Sequence, residues 1–227
     1  LNHLFARTQE MMIRERRFTA DAAHELRSPL AALKVQTDVA QLSLDDPQAQ
    51  EKALSQLHAG IDRASRLVDQ LLTLSRLDSL DNLEDVEPIT MADLLQSAVL
   101  DIWHPAQQAG TDIRLNIHAP EVTRTGQPLL MSLLVRNLLD NAIRYSPRGS
   151  VVDVTLDTRS FTVRDNGPGI SPEALARIGE RFYRPPGQDA TGSGLGLSIV
   201  KRIAALHGLR VSLNNAPEGG LEVRVSW

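Results

Sequence analysis

Residues 18–30, FTADAAHELRSPL, organise the first part of this chain, because they place His24 beside Glu25 within a helical pattern. Apolar positions recur at alternating spacings of three and four, the stripe of a bundle helix: Ala23, Leu26, Leu30, Leu33, Thr37, Ala40 and Leu44. At about 100° per residue, His24 lies about 200° from Leu26 around the helix axis, so we expect it to point away from this stripe. Pro29 removes a backbone donor and is expected to bend the helix one turn later.

The His24–Glu25 pair allows two interpretations. An exposed imidazole with a neighbouring carboxylate suits a nucleophile whose proton Glu25 accepts. The same two residues are also what a solvated surface helix carries, and this stretch alone favours that alternative. Motifs elsewhere in the chain decide between the two.

Composition excludes several classes of protein. The 227 residues have room for two modest domains, and a formal net charge of -4 gives no electrostatic argument for nucleic acid. There is no cysteine, hence no disulfide framework and no thiolate zinc site. No apolar run approaches the roughly 20 residues that span a bilayer. Because the sequence opens at Leu1 inside a helical pattern, we expect it to be a fragment of a longer protein, with any membrane contact made by segments outside it.

The first part of the chain predicts a helical hairpin. One long helix is expected to about Leu44, followed by the polar turn DDPQAQ at 45–50. A second helix carries apolar residues at the same spacings: Leu54, Leu57, Ile61, Ala64, Val68 and Leu71. Two helices cannot bury both stripes well, so we expect a symmetric dimer in which two hairpins form a four-helix bundle. A monomeric hairpin packed on the next domain is the alternative.

The acidic, aperiodic stretch at 79–87 predicts a linker, and the pattern beyond it alternates between strands and helices. Strands are expected at 112–118, 151–156, 161–165, 210–214 and 221–226. Helices are expected at 91–108, 129–145 and 194–207, with a short one after Pro172. Helices interspersed with hairpin strands indicate an α+β domain with a mixed sheet and helices on one face.

Asn137 and Asn141 lie four residues apart in RNLLDNAIRYS at 136–146, so they share a helix face with Arg144 and Tyr145 nearby. An amide carbonyl is a hard oxygen ligand, and Mg²⁺ commonly takes one or two such protein ligands together with phosphates and water. Two amides on a helix surface can equally be ordinary hydrogen-bonding residues.

DNGPGI at 165–170 follows a predicted strand. Asp165 can accept a hydrogen bond from an exocyclic amine, while Gly167 and Gly169 let the backbone turn closely beneath a planar base. A plain strand-end turn uses the same residue types.

GSGLGL at 192–197 enters an apolar helix, where successive backbone amides and the helix N-terminus can hold phosphate. No parallel βαβ unit follows it, and the P-loop GK[ST] signature is absent. The polar segment RPPGQDAT at 184–191 precedes it and is expected to form a mobile lid over the nucleotide.

Taken in order, the His-Glu box, the Asn pair, DNGPG, RFYR and GSGLGL resemble the transmitter region of bacterial two-component sensor histidine kinases. The resemblance covers essentially the whole chain and is closest to the proteobacterial QseC-like subgroup. It implies a dimerisation and phosphoacceptor domain at 1–78, a linker at 79–87, and at 88–227 an ATP-binding sandwich of the kind shared with gyrase, Hsp90 and MutL. It also implies that the fragment is the cytoplasmic portion of a bacterial inner-membrane sensor.

The resemblance also implies a role for each matching residue. His24 would be the phosphorylated nucleophile, Glu25 its base, and Ser28 a contributor to phosphatase activity. The remaining roles concern Mg²⁺ and ATP. Asn141 would be the main metal ligand, assisted by Asn137, while Arg144 would contact phosphate and Tyr145 the nucleotide. Asp165 would bind the adenine amine in a pocket shaped by Gly167 and Gly169, Phe182 would anchor the lid, and the residues around the phosphates would be Gly192, Gly194, Gly196 and Leu197. The partners implied are a second copy of the chain and the receiver domain of a response regulator. The histidines at 3, 58, 104, 118 and 207 have no partnered motif and are assigned no functional role.

Two other functions remain to be weighed. An ATP-driven conformational machine of the gyrase, Hsp90 and MutL class would need no phosphoacceptor, and a purely structural dimerisation module would carry a vestigial nucleotide site. The His24–Glu25 helix argues against the first, and the intact Asn and Gly motifs argue against the second.

Overall fold

The computed structural model describes residues 2–80, 82–186 and 192–227, and within the first helix the side chains before Phe18 are described only in part. The chain divides into two compact units, Leu1–Thr73 and Leu74–Trp227. In the part of the chain that is described, no helix is long and apolar enough to cross a bilayer.

The first unit is the predicted helical hairpin. Helix α1 spans Asn2–Leu42 and continues through Pro29, and helix α2 spans Pro47–Ser79. The turn between them is closed by Asp46, whose Oδ1 accepts from the backbone N–H groups of Gln48 and Ala49 at 3.1 Å each. These are the donors that a helix N-terminus leaves without partners, so Asp46 caps α2 and Pro47 occupies its first position.

The two helices approach closely at Gly60, where a built Cβ would lie 2.7 Å from Leu33 Cδ2. Among the described side chains of this unit, the buried apolar ones are Ala53, Leu67 and Leu71, on the face of α2 that also carries Gly60. Of the stripe predicted on α2, Leu71 is buried and Leu57 and Ala64 are half-buried, while Leu54, Ile61 and Val68 remain exposed in the single chain. The buried Ala53 and Leu67 lie outside that predicted stripe.

The second unit contains the predicted α+β domain. Its helices are α3 (Met91–Ala109), α4 (Pro128–Tyr145), α5 (Pro172–Arg177) and α6 (Gly196–Leu206). Its strands are β1 (Glu87–Thr90), β2 (Asp112–Ile117), β3 (Thr123–Gly126), β4 (Val151–Leu156), β5 (Ser160–Arg164), β6 (Arg210–Asn215) and β7 (Leu221–Ser226).

Five of the strands form one mixed sheet in the order β2-β4-β5-β7-β6. Strand β2 runs parallel to β4, and the remaining pairs are antiparallel, including the predicted β4–β5 and β6–β7 hairpins. Alternate residues of β4 and most of β5 are buried, with Phe161 and Leu156 among the largest fully buried side chains. Helices α4 and α6 contribute Leu134, Leu138 and Ile199 to the same buried set, so a continuous apolar core supports the loops at the ends of these elements.

The antiparallel pair β1–β3 forms a separate small sheet that the sequence does not predict. Both strands are four residues long, and each contains a residue that weakens a strand signal, Pro88 in β1 and Gly126 in β3. The linker expected at 79–87 thus ends in a strand at Glu87.

The last turn of α2 lies in the second unit and is bound there. Leu74 and Leu77 are fully buried, Arg202 of α6 donates to the carbonyl oxygens of Leu77 (3.1 Å) and Leu80 (2.8 Å), and Asp78 pairs with Arg181 at 2.7 Å.

Candidate functional site

Helix α4 supplies one wall of the site. It begins at a capped turn, because the side chain of Gln127 accepts from Leu130 N at 2.7 Å and Pro128 occupies the first helical position. The apolar face of the helix is buried, which fixes the direction of the polar residues between. Asn137 is itself buried, and its Nδ2 donates to Leu133 O at 2.8 Å, so its Oδ1 remains the acceptor directed away from the helix backbone.

The glycine motif lies directly against this wall. A Cβ built on Gly196, the first residue of α6, would lie 3.2 Å from Asn141 Nδ2 and 3.4 Å from Asn137 Oδ1. A Cβ on Gly192 would lie 3.1 Å from Arg144 Nη1 and 3.5 Å from the Tyr145 hydroxyl. The structure therefore brings the Asn pair, Arg144 and Tyr145 together with the glycine motif, and a side chain in place of either glycine would narrow the space between them.

The segment before the glycine motif is also close to it. Gly194 has a positive φ of 71°, and a Cβ there would lie 2.7 Å from the carbonyl carbon of Phe182 and 2.9 Å from Tyr183 O. Phe182 itself has a φ of 62°, a left-handed conformation that a phenylalanine rarely adopts. The backbone of Phe182 thus packs on the glycine motif. Of the lid expected at 184–191, residues 187–191 lie outside the described part of the chain.

Asp165 stands at the end of β5 and is almost completely buried. Its Oδ1 accepts from Gly167 N at 2.9 Å and from Leu221 N at 3.0 Å. Burial raises the pKa of this carboxyl, and the two backbone donors and Arg164 only partly oppose that effect. With Oδ1 taken up by the backbone, Oδ2 is the oxygen left to meet a ligand.

Gly167 connects Asp165 to the α4 wall, because a Cβ on it would lie 2.6 Å from Tyr145 O. Gly169 and Ile170 complete the loop, and Asn215 of β6 holds them in place. Asn215 Nδ2 donates to Ile170 O at 2.6 Å while its Oδ1 accepts from Ile170 N at 2.9 Å. The side-chain amide of Asn215 thus makes with Ile170 the pair of hydrogen bonds that the backbone of a neighbouring strand would make. No motif in the sequence indicated this role for Asn215.

Leu197 follows Gly196 in the first turn of α6 and is half-buried. The preceding Ser193 accepts from Leu195 N at 3.2 Å through its hydroxyl, which shapes the turn into the helix. All the residues predicted around the nucleotide thus lie in the second unit. They are on α4, at the start of α6, and in the segments that follow β5 and α5.

The predicted phosphoacceptor residues lie in the first unit, on α1. His24 is exposed, Glu25 is half-buried, and Ser28, one helical turn further on, is exposed. The exposure of His24 agrees with the helix periodicity, which places it about 200° around the axis from the half-buried Leu26.

Metal binding in the second unit would depend on the Asn pair. Within the described residues, no three His, Cys, Asp or Glu side chains are grouped so that they would hold a metal ion. The amide oxygens of Asn137 and Asn141, next to the glycine motif, nevertheless suit Mg²⁺, which prefers hard oxygen ligands and shares them with phosphate and water. The donors present therefore fit a magnesium ion that arrives with a nucleotide.

Comparison with known proteins identifies the family of the chain. Residues 14–80 match the family model "His Kinase A (phospho-acceptor) domain", and residues 126–227 match "Histidine kinase-, DNA gyrase B-, and HSP90-like ATPase". The chain is 76% identical over its full length to "Sensor protein QseC" of Salmonella typhimurium and 41% identical over 99% of its length to "Sensor protein kinase PmrB" of Pseudomonas aeruginosa. It covers 51% and 48% of those two proteins, so it spans about half the length of the curated relatives it matches.

Solved structures give the same result. A structure of "the cytoplasmic segment of histidine kinase QseC" is 60% identical, with 74% of this chain and 93% of that one aligned at a TM-score of 0.54. Histidine kinase ThkA, solved in complex with response regulator protein TrrA, aligns over 99% of this chain and 66% of that one at a TM-score of 0.77, and at 21% identity it supports the fold alone. The chain belongs to the family of two-component sensor histidine kinases.

Proposed function

We propose that this chain is the catalytic part of an ATP-dependent protein-histidine kinase, in which His24 receives the γ-phosphoryl group of ATP and passes it to an aspartate on a response regulator. The observation that carries the proposal is the convergence of two distant segments. Gly196 lies against Asn137 and Asn141, and Gly192 lies against Arg144 and Tyr145, at a helix N-terminus suited to phosphate.

Each side of the nucleotide has its own set of residues in this proposal. Asp165 accepts from the adenine amine through Oδ2, and the loop of Gly167 and Gly169 lies beneath the base. Arg144 and the backbone amides of 192–197 neutralise the phosphates, and Tyr145 contacts the nucleotide. Asn141 and Asn137 hold Mg²⁺, which neutralises charge on the phosphates when it is bound.

The transfer step needs an exposed nucleophile and a base. A ring nitrogen of His24 attacks the γ-phosphorus, the new N–P bond forms as the bond to the β,γ-bridging oxygen breaks, and ADP leaves. The ring proton passes to the Glu25 carboxylate, its sequence neighbour. In the second step the phosphoryl group moves from the His24 nitrogen to the regulator's aspartate, and His24 is regenerated.

The hairpin supports a homodimer through residues 1–78. Leu30 in the α1 stripe, and Leu54, Ile61 and Val68 on α2, remain between 40% and 58% exposed in the single chain. The three residues on α2 are spaced by seven. A seven-residue repeat of exposed apolar side chains is the seam of a helical bundle, and a second copy of the hairpin carries the matching seam.

We also propose domains at 1–78 and 88–227 joined by a linker at 79–87.

The location follows from the relatives. They are sensor proteins about twice the length of this chain, and the match to the cytoplasmic segment of one of them supports placing this chain on the cytoplasmic side of a bacterial inner membrane. Segments outside the chain would then form the membrane anchor.

The test is incorporation of label from γ-labelled ATP. The parent protein should acquire label that is acid-labile and base-stable, as a phosphohistidine is, and His24→Ala should acquire none while binding ATP as the parent does. His58→Ala, a substitution of another exposed histidine of the hairpin, is the matched control and should label normally. A parent that hydrolyses ATP without becoming labelled would instead be a conformational ATPase of the gyrase, Hsp90 and MutL class.

Ser28 is proposed to assist the reverse reaction, the hydrolysis of the regulator's phospho-aspartate. Its hydroxyl can donate and accept a hydrogen bond one helical turn from His24. Ser28→Ala should slow phosphate release from a phosphorylated regulator in the presence of ADP and leave His24 labelling unchanged. Equal loss of both activities would indicate a damaged helix.

A further inference from the structure

His207, which the sequence analysis left without a role, has both ring nitrogens bonded to backbone groups. Nε2 lies 3.0 Å from the backbone N of Gln127, and Nδ1 lies 2.8 Å from Ile203 O. Because Gln127 N–H is a donor, Nε2 must accept, and the ring proton must therefore be on Nδ1, where it donates to Ile203. The ring of His207 thus joins the backbone of Gln127 to that of Ile203, and it is the tautomer with its proton on Nδ1.

The ring is fixed in place by its surroundings. A Cβ built on Gly126 would lie 2.8 Å from His207 Cδ2 and 3.1 Å from Nε2, so the backbone of β3 is in direct contact with it. Ile89, Met131 and Leu209 line the small space beside the ring. These contacts leave the imidazole little freedom to follow a movement of either backbone partner.

The two backbone partners belong to the two helices that form the phosphate site. Ile203 lies in the last turns of α6, and Gln127 is the residue whose side chain caps α4. At the other end of the same helix pair, Gly196 of α6 lies against Asn137 and Asn141 of α4. The pair is therefore joined at one end by His207 and at the other by the residues proposed to hold phosphate and Mg²⁺.

We propose that His207 is a positioning residue for phosphate and Mg²⁺ binding: it fixes the position of α6 along α4, and with it the 192–196 backbone amides relative to the Asn pair. Helix α6 is about 16 Å long, so a shift of its C-terminal end is transmitted along a rigid rod to Gly196. Displacements of about an ångström are enough to weaken a set of converging phosphate contacts. This inference rests on the nucleotide site proposed above.

The proposal predicts a split between two parts of the ligand. In the proposed site, adenine contacts the loop of Asp165 and Gly167. Strands β5 and β7 hold this loop through the hydrogen bond from Leu221 N to Asp165, and the position of α6 along α4 does not set it. Removing the connector with His207→Leu should lower the affinity for Mg-ATP about tenfold and leave the affinity for adenosine unchanged. His118→Leu, which removes a surface histidine paired with Asp157, is the matched control and should change neither.

The experiment is calorimetric titration of the whole chain with Mg-ATP and, separately, with adenosine. Parent-like Mg-ATP binding by His207→Leu would overturn the inference, and so would an equal loss of both ligands, since that indicates general destabilisation. A parent that binds neither ligand would overturn the proposed nucleotide site itself.

Two further variants keep the test decisive if His207→Leu does not fold. In His207→Gln the side-chain amide oxygen can take the place of Nε2 and accept from Gln127 N–H, whereas the shorter side chain of His207→Asn cannot reach it. The Gln variant should bind Mg-ATP like the parent, and the Asn variant about tenfold more weakly. Equal affinities for the two would overturn the inference.

Discussion

The two units of the chain bury their apolar side chains to very different extents. In the second, fully buried residues such as Leu95, Leu138, Phe161 and Ile199 come from helices and strands alike. In the first, much of the apolar stripe stays exposed, with Leu30 58% and Ile61 46% accessible. Burial of apolar area is the main favourable term in folding, so the second unit is complete in one chain, whereas the exposed stripe of the first fits the proposed dimer.

The functional groups differ in the same way. Asp165 and Asn137 are buried and oriented by backbone contacts, as suits a pocket that must hold a ligand in one geometry. His24, the proposed nucleophile, is exposed on a helix, as suits a group that would meet two different partners in turn. In the proposed function, the second unit therefore supplies binding geometry and the first supplies access.

The largest expected effect is on the hairpin. Val68→Glu or Ile61→Glu would place an unpaired carboxylate in the proposed dimer seam, a change that costs several kcal/mol, so we expect the dimer to dissociate or the hairpin to unfold. Light scattering at micromolar concentration measures the change, and Ala59→Glu, at an exposed position about 160° from Ile61 around the axis of α2, is the control. A parent protein that is a folded monomer would remove the contrast between the units.

The second effect is confined to the pocket. Asn141→Ala removes a proposed Mg²⁺ ligand, so the charge on the ATP phosphates is less well neutralised. The affinity for Mg-ATP, measured by calorimetry, should fall roughly ten- to hundredfold. Ser132→Ala, on the exposed side of α4, should bind as the parent does. The dimer should persist in both variants, because the hairpin is stabilised separately. Normal Mg-ATP binding by Asn141→Ala would contradict the pocket assignment.

The smallest effect is that of Asp165→Asn, which should lower the nucleotide affinity and raise the free energy of unfolding. In Asp165→Asn the amide oxygen can still accept from Gly167 and Leu221, but Nδ2 would meet the adenine amine donor to donor, so nucleotide affinity should fall about tenfold. The raised pKa means that the ionised carboxyl opposes folding at neutral pH. The variant should therefore have the higher free energy of unfolding there.

This stability gain has a defined pH dependence. Because the folded-state pKa of Asp165 lies above its ordinary value of 3.8, the difference between variant and parent should be full above the raised pKa and shrink as the pH falls toward 3.8 and below. Denaturant unfolding at several pH values measures it. A variant less stable than the parent at neutral pH would show that the carboxylate's hydrogen bonds outweigh its burial.

Much of the fold could be predicted from the sequence because the signals involved are local. The spacing of three and four residues predicts α1 and α2, and Pro47 predicts where α2 begins. Alternation predicts β4, β5 and β7 within about a residue of their observed bounds. The motif order likewise identified the family, since each motif is a contiguous run of residues.

Only the tertiary structure decided how these pieces meet. The β1–β3 pair and the parallel β2–β4 pair join residues far apart in sequence, through backbone hydrogen bonds that any side chain permits, so no residue pattern marks them. The same holds for Asn215 on Ile170 and His207 on Gln127, where a side chain serves a distant backbone group. Sequence patterns thus determined the helices, most strands and the family, and long-range packing decided which backbone groups hold the candidate site residues in place.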